Sequence, residues 1–305
     1  FVTVGRDFNE ILKEYLFSFS DQDTYDDHEY PSAAEALRLA KNDPSFTSSQ
    51  KSLAFFIGDP ALKLAFPQPN IRLTKINDVP VGQNTDVLQA LSYAKLSGEV
   101  TDVNGNVLTD YNGTLTATIY DKEIERQTLA NDNTTNNNGT IYLDFTTLGA
   151  LVFRGQASVT NGQFEFDFIV PKDVGIPVGY GKVSFYAVKE DSLEDKAGAS
   201  VNTLQIGGIN PDAAEDNLPP RIQLYMNDET FVSGSITNES PMILAKLEDE
   251  NGINTASGIG HDIVAILDGD EVNPYVLNDY YTANVDDYTK GSLTYPFRNL
   301  EPGLH

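Results

Sequence analysis

The chain has 305 residues, 40% of them hydrophobic and 10% aromatic, with no tryptophan and no cysteine. That length and composition suit two or three globular domains and do not suit a disordered chain. The absence of cysteine excludes disulfides, thiolate zinc sites and a cysteine nucleophile within these residues. Twenty basic residues stand against 45 acidic ones, for a net charge of −25. A field of that sign disfavours nucleic acid and anionic lipid, and it favours solubility and cation binding. The imbalance is steepest at the end, where residues 211–305 carry 4 basic and 17 acidic side chains. No apolar run approaches the ~20 residues of a membrane span.

The first 66 residues read as helical. Phe8, Leu12, Tyr15, Leu16 and Phe19 recur on one face of a helix, with Asp7 as its expected cap. An acidic, aromatic loop over residues 21–30 holds His28, which reads as a solvated loop histidine. Ser32 and Glu35 have capping-box spacing at the start of a second helix over residues 32–41. Ala33, Leu37 and Ala40 are its buried stripe, and Asn42-Asp43-Pro44 ends it. Leu53-Ala54-Phe55-Phe56-Ile57 shows no alternation and predicts a strand buried on both faces.

From Pro67 the pattern turns to strands. They are expected over 71–76, 90–102, 113–121, 139–147, 149–160, 163–170, 182–189 and 199–206. Asn104-Gly105 and Asn161-Gly162 are hairpin turns, since those residue types tolerate positive φ. Phe164, Phe166 and Phe168 alternate with Glu165 and Asp167 as in a half-buried strand. The Asn-rich stretch 131–139 reads as a mobile hairpin tip. Together these predict a β-sandwich over 67–208. A stiff, charged linker follows over 209–220, and a second β-sandwich module over 221–305 has strands at 221–227, 241–248, 262–268, 273–277 and 291–297. The opening at Phe1 and the close at His305, inside strand-like sequence, predict a piece of a longer protein, with the second module cut short.

The segment Gly58-Asp59-Pro60-Ala61-Leu62-Lys63-Leu64-Ala65-Phe66-Pro67 describes a strand exit. Glycine permits an unusual backbone, the aspartate accepts backbone N–H bonds, and proline fixes φ. Gly58, Asp59, Pro60 and Leu62, preceded by a helix and an apolar run, resemble the end of the catalytic domain in gingipain-like cysteine peptidases. Further on, Leu247-Glu248-Asp249-Glu250-Asn251-Gly252, Gly258-Ile259-Gly260-His261 and Tyr295-Pro296-Phe297 look like the C-terminal β region of that family's sortase branch, from the type IX secretion system of Bacteroidetes. The resemblance implies a mainly β fold. It implies that the closing helices and strand of a caspase-like α/β domain occupy 1–66 and that two immunoglobulin-like sandwiches follow. It also implies an extracellular place on the outer membrane, with secretion-system proteins and exported cargo as partners. The family's catalytic Cys and His map to no position in this sequence, so the chain itself is read as non-catalytic.

His261 follows a Gly-x-Gly turn and reads as a structural hydrogen-bonding residue, since a catalytic histidine needs a nucleophile or acid partner. His305 closes the chain and carries no signal. No cofactor is expected apart from calcium, for which Asp249, Glu250 and Asn251 form one candidate group and Asp286 and Asp287 another. Neither group has EF-hand spacing. Asn112, Asn133, Asn138 and Asn238 begin Asn-x-Ser/Thr patterns, read as chance matches in an Asn- and Thr-rich chain. The competing readings are a surface adhesin or a carbohydrate- or protein-binding chain of tandem sandwiches, and an inactive member of the same peptidase family.

Overall fold

The computed structural model describes residues 2–18, 29–45, 51–52, 54–136, 139–256 and 261–305. It divides into two compact units, residues 1–69 and 70–305.

The first unit contains helices α1 (Val2–Leu16) and α2 (Ala33–Asn42). Asp7 lies inside α1 and does not cap it, because the helix runs on through the residues before it. Ser32 does cap α2, its hydroxyl accepting the Glu35 N–H at 3.3 Å. The Glu35 carboxylate also accepts a fork from Arg38, at 2.5 and 2.6 Å. At the far end of both helices the Tyr15 hydroxyl donates to Asp43 at 2.7 Å. Phe66 packs on Phe17 and Tyr30, with ring centroids 4.9 and 5.1 Å apart. Phe19, His28 and Leu53 lie outside the described residues.

The apolar run does not form the expected buried strand. Residues 54–57 have no strand pairing, and Phe55 and Ile57 are 75% and 83% exposed. A strand buried on both faces needs paired neighbours and covering layers. The described residues of this unit contain no strand to pair with it.

The second unit is built from nineteen described strands. The first five are β1 (Ile71–Ile76), β2 (Val79–Pro80), β3 (Leu88–Ala90), β4 (Tyr93–Val100) and β5 (Gly113–Tyr120). An excursion holds β6 (Ile124–Gln127), β7 (Thr135–Asn136), β8 (Gly139–Thr140) and β9 (Asp144–Thr147). The chain returns in β10 (Leu151–Thr160), β11 (Gln163–Ile169), β12 (Gly179–Lys189) and β13 (Lys196–Ile209). The last six are β14 (Arg221–Met226), β15 (Met242–Glu248), β16 (Val264–Ala265), β17 (Tyr275–Val276), β18 (Tyr281–Val285) and β19 (Asp287–Pro296).

One layer runs β2-β1-β4-β11 and the other β3-β13-β12-β5-β10. They join where the β10 hairpin passes into β11. That turn is Asn161-Gly162, with φ of 52° and 74° as the sequence predicts. A side chain at Gly162 would meet the Leu108 carbonyl at 2.4 Å, so glycine is required there twice over. The other turn is held differently. Asp102 accepts the N–H groups of Asn104 and Asn106, both at 2.8 Å, and Gly105 takes φ of 82°.

Phe164, Phe166 and Phe168 all point inward, as their alternation requires. Phe168 stacks on Phe153 at 4.6 Å and Phe164 meets Phe185 at 5.3 Å. Residues 210–220 form neither strand nor helix. Beyond them β14-β15-β19-β18 continue the sheet, because β18 pairs in parallel with β10. The expected strand at 139–147 is divided between β8 and β9, and those at 262–268 and 273–277 shrink to the two-residue pair β16–β17. The chain is mainly β, and no described helix is long and apolar enough to cross a membrane.

Candidate functional site

Three places carry the residues singled out by the sequence. The first is the exit turn of the first unit. Gly58 has φ of 139°, a conformation that favours glycine. The Asp59 carboxylate accepts the Ala61 N–H at 2.9 Å, and its carbonyl accepts the Leu62 N–H at 3.1 Å. Pro60 lies between them. The Leu62 carbonyl then accepts the Ala33 N–H at 3.0 Å, and Lys63 bridges to Ser32. Lys63 also pairs with Glu29. The turn therefore fastens the outgoing chain to the first residue of α2, while Leu62 and Leu64 stay exposed.

The second place is His261. Its Nδ1 lies 2.8 Å from Asp173 Oδ2, the same oxygen that accepts the Asn254 side chain at 2.7 Å. A histidine held on a carboxylate has the orientation of a general base. No hydroxyl or thiol bonds its Nε2 among the described residues, so the pair works as a clasp between the loop after β11 and the segment before β16. Gly258 and Gly260 lie outside the described residues.

The acidic candidates are the third group. Asp249 is buried, accepts the Asn251 N–H at 2.9 Å, and has its carboxyl pushed up by burial. Asp286 bonds the Ser158 N–H and hydroxyl at 2.8 and 2.6 Å, which ties the β18–β19 turn to β10. Asp287 accepts from Thr289, N–H at 3.0 Å and hydroxyl at 2.5 Å. The structure thus gives Asp249, Asp286 and Asp287 separate turn-making bonds and does not bring them together with Glu250. Among the described residues no group of three or more His, Asp or Glu side chains is gathered to hold a metal ion.

Local sequence did not point to two polar features of the second unit. Tyr111 is fully buried, with its hydroxyl 3.0 and 3.1 Å from the carbonyls of Ala187 and Glu194, and burial pushes the phenol up to about 12. Lys122 sits on Asp121 at 2.5 Å and also reaches the Gly175 and Ile206 carbonyls at 3.1 and 3.2 Å. Asp121 completes the knot by accepting the Gly175 N–H at 2.8 Å. Both join segments more than fifty residues apart, and both brace the fold.

No protein-family model matches the sequence, and no curated protein matches it. Among solved structures the chain is similar to dimeric latent PorU from Porphyromonas gingivalis, at 29% identity and a TM-score of 0.49. The match covers 92% of this chain and 26% of the PorU chain, so the chain spans about a quarter of that protein's length.

Proposed function

We propose that this chain is the non-catalytic C-terminal portion of a PorU-like cysteine peptidase or sortase. On this reading residues 1–66 close a gingipain-like α/β domain, and residues 67–208 and 221–305 are immunoglobulin-like modules that position it. The parent protein sits on the extracellular face of the outer membrane and removes the C-terminal signal domains of type IX secretion cargo. Its partners are outer-membrane secretion proteins and exported cargo. No cofactor is part of this reading; calcium is a candidate ion only, and its ligands are not assigned.

The observation that carries the reading is the first unit's exit. A Gly-Asp-Pro turn of the kind the resemblance requires joins the start of α2 beside an exposed run containing Phe55 and Ile57. An apolar run with no pairing strand suits the edge of a larger sheet. A tandem binding or adhesive module is the second reading, favoured by the self-contained core of residues 70–305.

The deciding experiment isolates the native protein with an antibody against residues 70–305 and exposes it to a thiol-reactive peptidyl ketone. Because these residues contain no cysteine, covalent labelling must come from elsewhere in the parent polypeptide. Labelling that is lost with the parent's nucleophilic cysteine supports the peptidase reading. An unlabelled native protein of 33.4 kDa leaves the binding module.

A further inference from the structure

A concavity in the second unit has walls without a charged side chain. About 420 Å³ in volume, it opens between the loop that follows β2 and the β12–β13 pair. Gln83 and Asn84 line it from the loop, Tyr180 from β12, and Asn202 and Gln205 from β13. The concavities beside β15 and between β6 and β9 differ, since they hold Lys246 and Glu248 in one and Arg126 and Asp144 in the other.

The shape of this hollow is set by an irregular pairing. Between the pairs Tyr180–Gln205 and Lys182–Val201, Gly181 alone faces three residues of β13, Asn202 to Leu204. A bulge of this kind bends the strand and re-aims its side chains. Asn202 takes φ of 59° there, a backbone that asparagine tolerates better than most residues. Gly181 is matched to it, because a side chain at that position would meet the Tyr120 carbonyl at 2.6 Å. Leu204 is fully buried, and Thr203 accepts the Ser200 hydroxyl at 2.6 Å. Across the concavity the loop is tied by its own backbone. The Gln83 N–H bonds the Pro80 carbonyl at 3.1 Å, and the Thr85 N–H bonds the Gln83 carbonyl at 3.0 Å. The side-chain amides of Gln83, Asn84, Asn202 and Gln205 have no protein hydrogen-bond partner among the described residues. Tyr180, directly across from Gln205, is 50% exposed.

We propose that this concavity binds a neutral saccharide. A sugar hydroxyl both donates and accepts, and a carboxamide side chain does the same through its nitrogen and its oxygen. Amides around one hollow therefore match a row of hydroxyls. The Tyr180 ring adds an apolar face with a polar tip, against which the C–H face of a pyranose can lie. The volume falls within the range of about 300–1,000 Å³ usual for small-molecule sites. A phosphate or carboxylate ligand would meet no cation in these walls and would approach against the field of a chain with charge −25. A cationic ligand would meet no carboxylate there. The site stands between β13 and β2, and β2 is the far end of the sheet from β14. Residues that continue the last module extend the sheet at its other end. The inference uses only residues of the second unit and is independent of the peptidase reading, which thiol labelling tests separately.

The test is saturation-transfer NMR on the whole chain, with maltotriose, mannotriose and galactotriose as probes and a sialylated trisaccharide as the charged control. Saturable binding of at least one neutral probe is expected, with the sialylated control about tenfold weaker. Tyr180→Ala should weaken the neutral probe about tenfold. Asn202→Gly keeps the positive φ and removes the amide, and should weaken it about fivefold. Tyr180→Phe keeps the ring and should retain most of the binding. Thermal melts of the three variants check that the fold is retained. The proposal fails if no neutral probe binds saturably, or if the sialylated control binds as tightly. It fails as well if neither Tyr180→Ala nor Asn202→Gly weakens binding. The same titration on the native parent polypeptide separates a ligand site from an internal contact, because binding by this chain and none by the parent would overturn the proposal.

Discussion

Residues 70–305 exclude solvent from large side chains such as Leu96, Ile119, Leu204 and Ile206, whereas the described apolar residues of the first unit that are buried are Pro31, Ala36 and Ala40. Both regions carry well-formed local signals. The first has an occupied helix cap and an Asp-held turn. The second has alternating strands and a positive-φ hairpin. What separates them is what lies across from those elements. Helices shorter than about 15 residues draw their stability from tertiary packing of one face, and α2, with ten residues, fully buries only Ala36 and Ala40 and leaves Leu37 and Leu39 half-buried. Local signals form an element; only opposed apolar surface makes it stable.

The most direct way to break this comparison is to separate the two regions. Residues 70–305 alone should melt in one cooperative transition. Residues 1–69 alone should show no transition by calorimetry and should be cleaved readily by protease. A cooperative, protease-resistant fragment of 1–69 would contradict the contrast. Within the second unit the next largest effect is expected at Phe168, which is buried and stacked on Phe153. Phe168→Ala should cost about 3–5 kcal/mol in denaturant unfolding, the range for emptying a core aromatic site. Tyr111→Phe keeps the ring and strands two carbonyls, and should cost about 1–3 kcal/mol. Raised from its ordinary 10.0 to about 12, this phenol contributes stability that is complete below pH 10. The contribution is lost as pH climbs through about 12, which an alkaline unfolding titration would register.

Legibility from sequence followed the range of the interaction. β11 was readable because Phe164, Phe166 and Phe168 announce a buried face within seven residues. The hairpin before it was readable because Asn161-Gly162 is a local backbone demand. The run at 54–57 announced burial correctly as a preference, but a run of apolar residues does not name the strands that must flank it. β18 was missed because Tyr281 and Ala283 are its only buried positions, and their partners are Leu293 and Gly291 on β19 and Gly155 on β10. The exit turn could be read from Gly58, Asp59 and Pro60, whose bonds close within three residues. The bond of Asp286 to Ser158 spans 128 residues, and that of His261 to Asp173 spans 88. Acidic spacing alone gave no means of telling a turn-making carboxylate from a cation ligand.

Asp249 offers the smallest effect and the sharpest sign. Its carboxyl is buried at the end of β15, and burial raises its pKa above the ordinary 3.8 despite the bond from the Asn251 N–H. The neighbouring charges of Asp216 and Glu250 push the same way. A carboxyl raised in the folded state favours folding when protonated, below its unfolded value, and that contribution is lost as pH rises through the folded value. At neutral pH the charge is therefore a burden on this corner of the sheet. Asp249→Asn keeps an oxygen to accept the Asn251 N–H and removes the charge. It should raise the melting temperature by about 1–3 °C at pH 7, and the gain should close as pH falls towards 3.8. If a cation neutralised Asp249 in the native protein, the same substitution would instead lower the melting temperature in calcium buffer and raise it only in chelator. Melts of both proteins with and without calcium distinguish a carboxylate held only by its turn from one that serves as a ligand.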